Sequence, residues 1–228
     1  MIKDKIQDLA AKIYDDVIGY RHHIHANPEL SFKEFETSAF IKEKLTAWGI
    51  EFTEMANTGV VGLIKGAIPS DKIIALRADM DALPILEAND KPYKSKNEGV
   101  MHACGHDVHS SSLLGTAYIL NQLKQEFAGT VKLVFQPAEE LLPGGASIMI
   151  KEGVLENPKP QAIIGQHVMP LIETGKVGFR SGIYMASTDE LYVTVRGKGG
   201  HGAQPHQNID PVLITAHIIV ALQQIVSR

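Results

Sequence analysis

Residues 73–81, IIALRADMD, are an apolar run that ends in two carboxylates, and they set the architecture of the chain. Residues 131–140, VKLVFQPAEE, have the same plan and end in Glu139 and Glu140. Short apolar runs that alternate with helical stretches are typical of buried strands in α/β domains. Because such domains carry their functional residues at the carboxyl ends of strands, the pattern predicts an α/β fold with a site at one sheet edge.

Helical periodicity surrounds these two runs. Apolar residues recur at helix-like spacing in four segments, which are residues 1–17, 34–48, 110–123 and 146–151. Ser110 is a candidate N-cap for the third of these helices. Further apolar runs at residues 60–64 and 162–164 complete an alternation of strands and helices, which favours a layered α/β domain over residues 1–185.

The pattern changes after this domain. Residues 191–195 alternate between apolar and polar side chains, which predicts a half-exposed strand. A helix follows with Asp210 as N-cap and Pro211 at its first position, and it still continues at Arg228 without a capping signal. Because a unit of this size rarely folds alone, residues 186–228 are predicted to be the first part of a smaller α/β domain.

The composition excludes several classes of partner. Apolar residues make up 44% of the chain and charged residues 21%, with a net charge of −4, so there is no reason to expect nucleic acid as a partner. No apolar run approaches the roughly 18 residues that a membrane span needs, so no membrane partner is expected. The single cysteine, Cys104, excludes an intrachain disulfide, and we therefore expect a cytoplasmic protein.

The densest cluster of metal-binding residue types is MHACGHDVH at residues 101–109. Cys104 and His106 are close enough in the chain for a loop to turn both side chains toward one ion, and both ligand types suit zinc. Two other interpretations stay open, because a lone cysteine is often a small buried apolar residue and histidines often cap helices. A redox role is disfavoured, since the chain has no second cysteine.

Three other groups of polar residues follow apolar runs. Glu139 and Glu140 can act as a metal ligand and a general base beside it, or they can be an exposed pair that opens a loop. Asp79 and Asp81 can bind a metal or orient a ligating imidazole. His167 is either a ligand or a structural residue. Their shared position at predicted strand ends favours one joint metal site.

Five segments, taken in order, resemble the aminoacylase-like metallopeptidase family. They are RHHIHANPEL (residues 21–30), LRADMDALP (76–84), HACGH (102–106), QPAEE (136–140) and GKGGHGA (197–203). The likeness is to the branch of hippurate hydrolases, auxin-conjugate amidohydrolases and N-acetyl-diaminopimelate deacetylases. It implies a zinc-peptidase-like three-layer α/β catalytic domain, incomplete within residues 1–185, and the start of a smaller α/β lid and dimerisation domain in residues 186–228.

The resemblance also implies a chemistry for the matching residues. It is metal-dependent hydrolysis of the amide bond of N-acyl amino acids or small peptides, with two divalent ions (zinc, manganese, cobalt or nickel) and a homodimer formed through the lid. Glu139 matches the general acid/base. His201 matches a lid histidine that, in related enzymes, reaches a partner's active site and helps to stabilise the tetrahedral intermediate. The metal-ligand positions are matched by Cys104, His106, Glu140 and His167, and a supporting acidic position by Asp81.

Members of that family continue past the position of Arg228 and supply a further histidine ligand there, so the resemblance implies a truncated chain. This leaves an inactive metal-binding or dimerisation fragment as one alternative. A metallo-dipeptidase or aminopeptidase of the same architecture is another. A serine hydrolase is disfavoured, because Ser110, Ser111 and Ser112 lack the glycine pattern of a nucleophile elbow.

Overall fold

The computed structural model describes residues 1–187 and 189–227, and the chain divides into two compact units between Glu173 and Thr174. The first unit is a layered α/β domain, and the second contains a 3₁₀ helix and one α-helix. Within the described residues, no helix is both long enough and apolar enough to cross a membrane.

The first unit shows the predicted alternation of helices and strands. Its elements are α1 (Ile2–Ala26), α2 (Phe35–Ala47), β1 (Glu51–Met55), β2 (Gly59–Lys65), β3 (Ile68–Asp79), α3 (His106–Gln122), β4 (Ala128–Gln136), α4 (Gly145–Lys151) and β5 (Ala162–Gly165). α1 continues well past its predicted end at residue 17. β1 is missing from the sequence prediction, because this mostly exposed strand has no run of apolar residues.

The five strands form one mixed sheet in the order β1-β2-β4-β3-β5. β3, β4 and β5 are parallel, whereas β2 runs antiparallel to both β1 and β4. Asp79 at the end of β3 lies opposite Gln136 at the end of β4, and Arg77 lies opposite Gly165 at the end of β5. The three parallel strands therefore end at the same edge of the sheet.

Helices cover both faces of this sheet. Phe135 of β4 belongs to a core cluster with Leu45 of α2 and Leu114 of α3. Val134 points to the opposite face, where it clusters with Met149 of α4. All five side chains are buried, and burial of such a side chain contributes roughly 1.5–3 kcal/mol. The predicted three-layer α/β architecture is confirmed.

The predicted helix cap at Ser110 is wrong. α3 begins at His106, and Gly105 before it has a left-handed backbone with a φ of 91°. Ser110 lies inside the helix and is fully buried, and its hydroxyl donates to the carbonyl oxygen of Asp79 at 2.8 Å. The serine therefore fastens α3 to the end of β3 and caps no helical N–H group.

The second unit confirms one prediction and corrects another. Its helices are the 3₁₀ helix Pro205–Gln207 and α5 (Pro211–Ser227). Asp210 is the N-cap, as predicted, because its Oδ1 accepts the backbone N–H of Val212 at 2.8 Å. The strand predicted for residues 191–195 is wrong, since no strand pairs with this segment in the described part of the chain. Alternating side chains do not make a strand without a hydrogen-bonded neighbour.

Lys132 is a buried cation on β4, with only 2% of its surface exposed. Its Nζ donates to the carbonyl oxygens of Val154 and Glu156, each at 2.8 Å, and so fastens the segment after α4 to the sheet. We predict that Lys132→Met lowers the free energy of unfolding by about 1–3 kcal/mol, because two carbonyl groups lose a charged donor.

Urea unfolding followed by the fluorescence of Trp48, the single tryptophan, measures this change. Trp48 contacts the rings of Tyr20 and Tyr118 and therefore reports on the first unit. Lys65→Met, at the exposed end of β2, is the matched control. Equal losses of stability in the two variants would contradict the role of the buried ammonium group.

Candidate metal centre

The loops after β3, β4 and β5 and the start of α3 meet at one edge of the sheet. The predicted site residues that they carry are Asp81, Glu139, Glu140, His167, Cys104 and His106. All of them lie within the first unit. Chain segments that are far apart in sequence therefore converge where the apolar runs predicted a site.

His106 lies at the centre of this group. The ligand atoms of Cys104, His106 and His167 lie within 4.8 Å of one another, and so do those of His106, Glu139 and Glu140. Sγ of Cys104 is 3.3 Å from Nε2 of His167, and Nε2 of His106 is 3.9 Å from Oε1 of Glu140. These separations suit side chains that share metal ions, since each ligand atom lies about 2.0–2.3 Å from zinc.

Two of these ligand atoms are buried without a hydrogen-bond partner. The Nδ1–H of His106 donates to the carbonyl oxygen of Asp81 at 2.8 Å, which leaves the lone pair on Nε2. In the described part of the chain, neither this Nε2 nor Oε1 of Glu140 has a hydrogen-bond partner. Unpaired buried lone pairs are costly, and a divalent cation satisfies both. The residues present therefore fit a metal ion.

Negative charge gathers around Cys104. Burial raises the pKa of its thiol to about 12, and the carboxylates of Glu140, Glu139 and Asp79 act in the same direction. A thiol in these surroundings stays protonated and unreactive. A bound cation reverses this balance, because it deprotonates a coordinating thiol. The electrostatics suit a metal ligand and do not suit a redox cysteine.

Asp81 is a buried carboxylate that joins two ligand-bearing segments. Its Oδ2 accepts the hydroxyl of Ser31 at 2.6 Å and the backbone N–H of Glu140 at 3.0 Å, and its Oδ1 lies 3.2 Å from Nδ1 of His106. Burial alone would raise the pKa of Asp81, but the nearby His106 ring and the hydrogen bonds from Ser31 and Glu140 hold this pKa at about 2. Asp81 is therefore an ionised anchor for both segments.

His109 forms a third group of possible ligands with Asp79 and His106. Its Nε2 accepts the backbone N–H of Val168 at 3.2 Å, and its Nδ1 lies 3.6 Å from Oδ2 of Asp79. The His109 ring thus connects Asp79, at the end of β3, to Val168, the residue after His167. His109 belongs to the predicted metal cluster of residues 101–109, but its spacing in the sequence does not indicate this hydrogen bond.

A second buried network fixes the first turn of α3 beside His106. Oδ2 of Asp107 accepts Nε–H of Arg21 at 3.1 Å and lies 2.9 Å from Nδ1 of His25. Nε2 of His25 lies 3.1 Å from Oε1 of Glu87. These contacts attach α3 to α1. No local pattern in the sequence indicates them, because His25 is 82 residues from Asp107 and 62 residues from Glu87.

His201 is the remaining predicted site residue, and it lies in the second unit. Its Nδ1 accepts the backbone N–H of Ala203 at 3.1 Å, and the side chain is exposed. This contact stabilises a local turn in the GKGGHGA segment. The catalytic role of His201 stays a prediction.

An α/β domain with Cys, His and Glu side chains gathered at the carboxyl ends of its parallel strands has the architecture of a metal-binding α/β protein. Comparison of the sequence with known protein families assigns the chain to one family. Residues 75–228 match the profile described as Peptidase family M20/M25/M40. The protein belongs to this family.

Relatives and a solved structure agree with this placement. The chain is 46% identical over 229 residues to an N-acyl-L-amino acid amidohydrolase of Geobacillus stearothermophilus, covering 100% of this chain and 61% of the relative. It is 49% identical over 209 residues to a hippurate hydrolase of Campylobacter jejuni, covering 91% and 54%. The YXEP protein of Bacillus subtilis, described as a dinuclear metal binding peptidase, superposes with a TM-score of 0.71 and 42% identity over 75% of this chain and 48% of that chain. The chain thus spans a little more than half the length of these curated relatives.

A substitution at Gly105, which lies between Cys104 and His106, tests whether the arrangement of these loops is needed for metal binding. A Cβ at Gly105 would lie 2.3 Å from Cγ2 of Val168, and its φ of 91° disfavours any side chain. Val168 is β-branched and cannot easily rotate away. We predict that Gly105→Ala weakens Zn²⁺ binding by about tenfold or more, because the loops that carry the ligands must separate.

Competition with a chromophoric chelator measures the Zn²⁺ affinity. Gly99→Ala is the matched control, because Gly99 also has a positive φ, of 79°, but has open space around its Cβ position. If the two variants bind Zn²⁺ equally well, the contact between the Gly105 loop and Val168 does not shape the site.

Proposed function

We propose that the chain carries the metal centre and the general base of an amidohydrolase that cleaves the amide bond of N-acyl amino acids or small peptides. The observation that supports this most is the pair of unpaired, buried ligand atoms on His106 and Glu140, with the carboxylate of Glu139 beside them. The names of two relatives agree with this substrate class, since one is named for N-acyl-L-amino acids and the other for hippurate.

Cys104, His106, His167 and Glu140 are proposed to hold two divalent ions. This set of one sulfur, two nitrogens and one carboxylate suits zinc, and it can also bind manganese, cobalt or nickel. The related structure described as dinuclear supports the number of ions. When bound, such ions lower the pKa of a water molecule and polarise the carbonyl of the amide.

Glu139 is proposed as the general acid/base of the reaction. Partial burial raises the pKa of its carboxyl group, and the charges of Asp79 and Glu140 add to the effect. A raised pKa makes the carboxylate a better proton acceptor near neutral pH. Glu139 takes a proton from the attacking water and delivers it to the amine that leaves. The side chain is only partly covered and keeps a surface open to solvent, so that a substrate can reach it.

We also propose that residues 186–228 begin a lid through which the protein dimerises, and that His201 stabilises the oxyanion. The GKGGHGA segment supports the role of His201. α5 supports dimerisation, because it exposes many apolar side chains of the kind that interfaces bury. Cys104 binds metal only while it is reduced, which favours a cytoplasmic location.

A catalytically inactive fragment is the second candidate. β5 lies at the edge of the sheet, and Ile163 and Ile164 are 51% and 57% exposed. Apolar side chains exposed on an edge strand suit a surface that another chain or segment covers, which supports a binding role over an independent catalytic one.

We predict that Glu139→Gln lowers the release of amino acids from N-acyl amino acids by at least about 100-fold, because the amide cannot accept a proton from water. The metal content of the folded protein should stay unchanged. Release from N-acetyl and N-benzoyl amino acids in the presence of Zn²⁺ or Mn²⁺ measures the activity, and elemental analysis measures the metal. Glu140→Gln is the matched control, since the loss of a ligand should lower the metal content as well.

Other outcomes separate the candidates. Loss of metal from Glu139→Gln would show that Glu139 is a ligand and that its assignment as the base is wrong. Faster cleavage of free dipeptides than of N-acyl amino acids would move the assignment to a dipeptidase or aminopeptidase. Folded, metal-loaded protein that cleaves neither class would favour the inactive fragment.

A further inference from the structure

Glu34 is a fully buried carboxylate that reaches the backbone of the metal centre from a distant part of the chain. Its Oε1 accepts the backbone N–H groups of Ala138 at 2.8 Å and of Phe32 at 3.0 Å, and its Oε2 accepts the hydroxyl of Thr58 at 2.7 Å. Glu34 and Ala138 are 104 residues apart. All three partners are neutral donors, so hydrogen bonds to uncharged groups hold this carboxylate.

Ala138 needs such support because its backbone is strained. Its φ of 47° lies in the left-handed region, which residues with a side chain rarely adopt. Both of its backbone polar groups are held, since Glu34 accepts from the N–H and the carbonyl oxygen accepts the N–H of Gly145 at 2.8 Å. The chain turns here, immediately before Glu139 and Glu140. The two hydrogen bonds therefore set the direction in which these residues leave β4.

Asp81 holds the same turn two residues further on. It accepts the backbone N–H of Glu140 at 3.0 Å. Two buried carboxylates therefore support this turn, Glu34 at Ala138 and Asp81 at Glu140. Asp81 also contacts the ring of His106 directly. None of the three hydrogen-bond partners of Glu34 is a proposed metal ligand, so Glu34 can act on the site only through Ala138.

We propose that Glu34 is a positioning residue for the metal centre: its carboxylate keeps Ala138 in the left-handed conformation and thereby aims Glu140 at the ion and Glu139 at the substrate. This inference rests on the proposed function, because it requires Glu140 to bind metal. An apolar side chain of similar size would fill the space of Glu34 but would leave the N–H of Ala138 without an acceptor. The turn would then relax toward an unstrained conformation.

The test measures the Co²⁺ affinity of the full chain by chelator competition, at a temperature where every variant is folded. Glu34→Met should weaken Co²⁺ binding by about 10- to 100-fold, the usual effect of losing support behind a ligand. Glu34→Gln should bind within about twofold of the unsubstituted protein, because its amide oxygen still accepts both N–H groups while the Thr58 hydroxyl turns to accept from its nitrogen.

Thr58→Val is the matched control. It removes one partner of Glu34 and leaves Ala138 held, so the Co²⁺ affinity should stay unchanged. Glu34→Asp is the second variant, because it keeps the charge in case Glu34→Met does not fold. Its shorter side chain falls short of the Ala138 N–H group, and we expect it to weaken Co²⁺ binding as well.

Two results would overturn the inference. One is a folded Glu34→Met or Glu34→Asp protein with the Co²⁺ affinity of the unsubstituted chain. The other is a folded Glu34→Gln protein that loses as much Co²⁺ affinity as Glu34→Met, because its amide oxygen would still hold the N–H of Ala138. A failure of the proposed function is distinguishable, because the unsubstituted chain would then bind no Co²⁺, or Glu140→Gln would bind it equally well. Either finding would also remove the role assigned to Glu34.

Discussion

The parallel register of β3 and β4 is the constraint on which the site depends. Because Asp79 lies opposite Gln136, the loops that follow the two strands begin side by side. Asp81 can then accept the backbone N–H of Glu140 and, through its carbonyl oxygen, the Nδ1–H of His106. A shift of one residue would turn every side chain of the strand to the other face of the sheet, and these contacts would be lost together.

The hydrogen bonds differ between the residues that support this site and the residues that are proposed to bind metal. Asp81 and Glu34 are buried carboxylates whose oxygens accept N–H and O–H groups from several segments. Glu140 and His106 each keep one buried atom without a partner in the described residues, and so does Asp81, whose Oδ1 lies 3.2 Å from Nδ1 of His106. The protein thus satisfies Glu34 and Oδ2 of Asp81 with its own donors, whereas Nε2 of His106 and Oε1 of Glu140 are left for a cation.

The sequence predicted the features that depend on local pattern. The apolar runs located β3, β4 and β5, and the residues after them converge as the strand-end argument required. The features that it missed depend on distant partners. The bonds from Glu34 to Ala138 and from His25 to Asp107 join segments far apart, with no periodicity to mark them. The strand expected at residues 191–195 failed for the same reason, because pairing and not alternation makes a strand.

The open edge of β5 bears on how the chain behaves in concentrated solution. Within the described residues, β5 pairs with β3 alone, and its residues are exposed along their whole length. An unpaired edge with β-branched side chains is a template for extended segments of other molecules, and natural proteins usually protect it with charge, proline or a covering element. Residues 162–165, AIIG, carry none of these protections. The brevity of this four-residue strand is therefore the only feature of residues 162–165 that limits pairing with other chains at this edge.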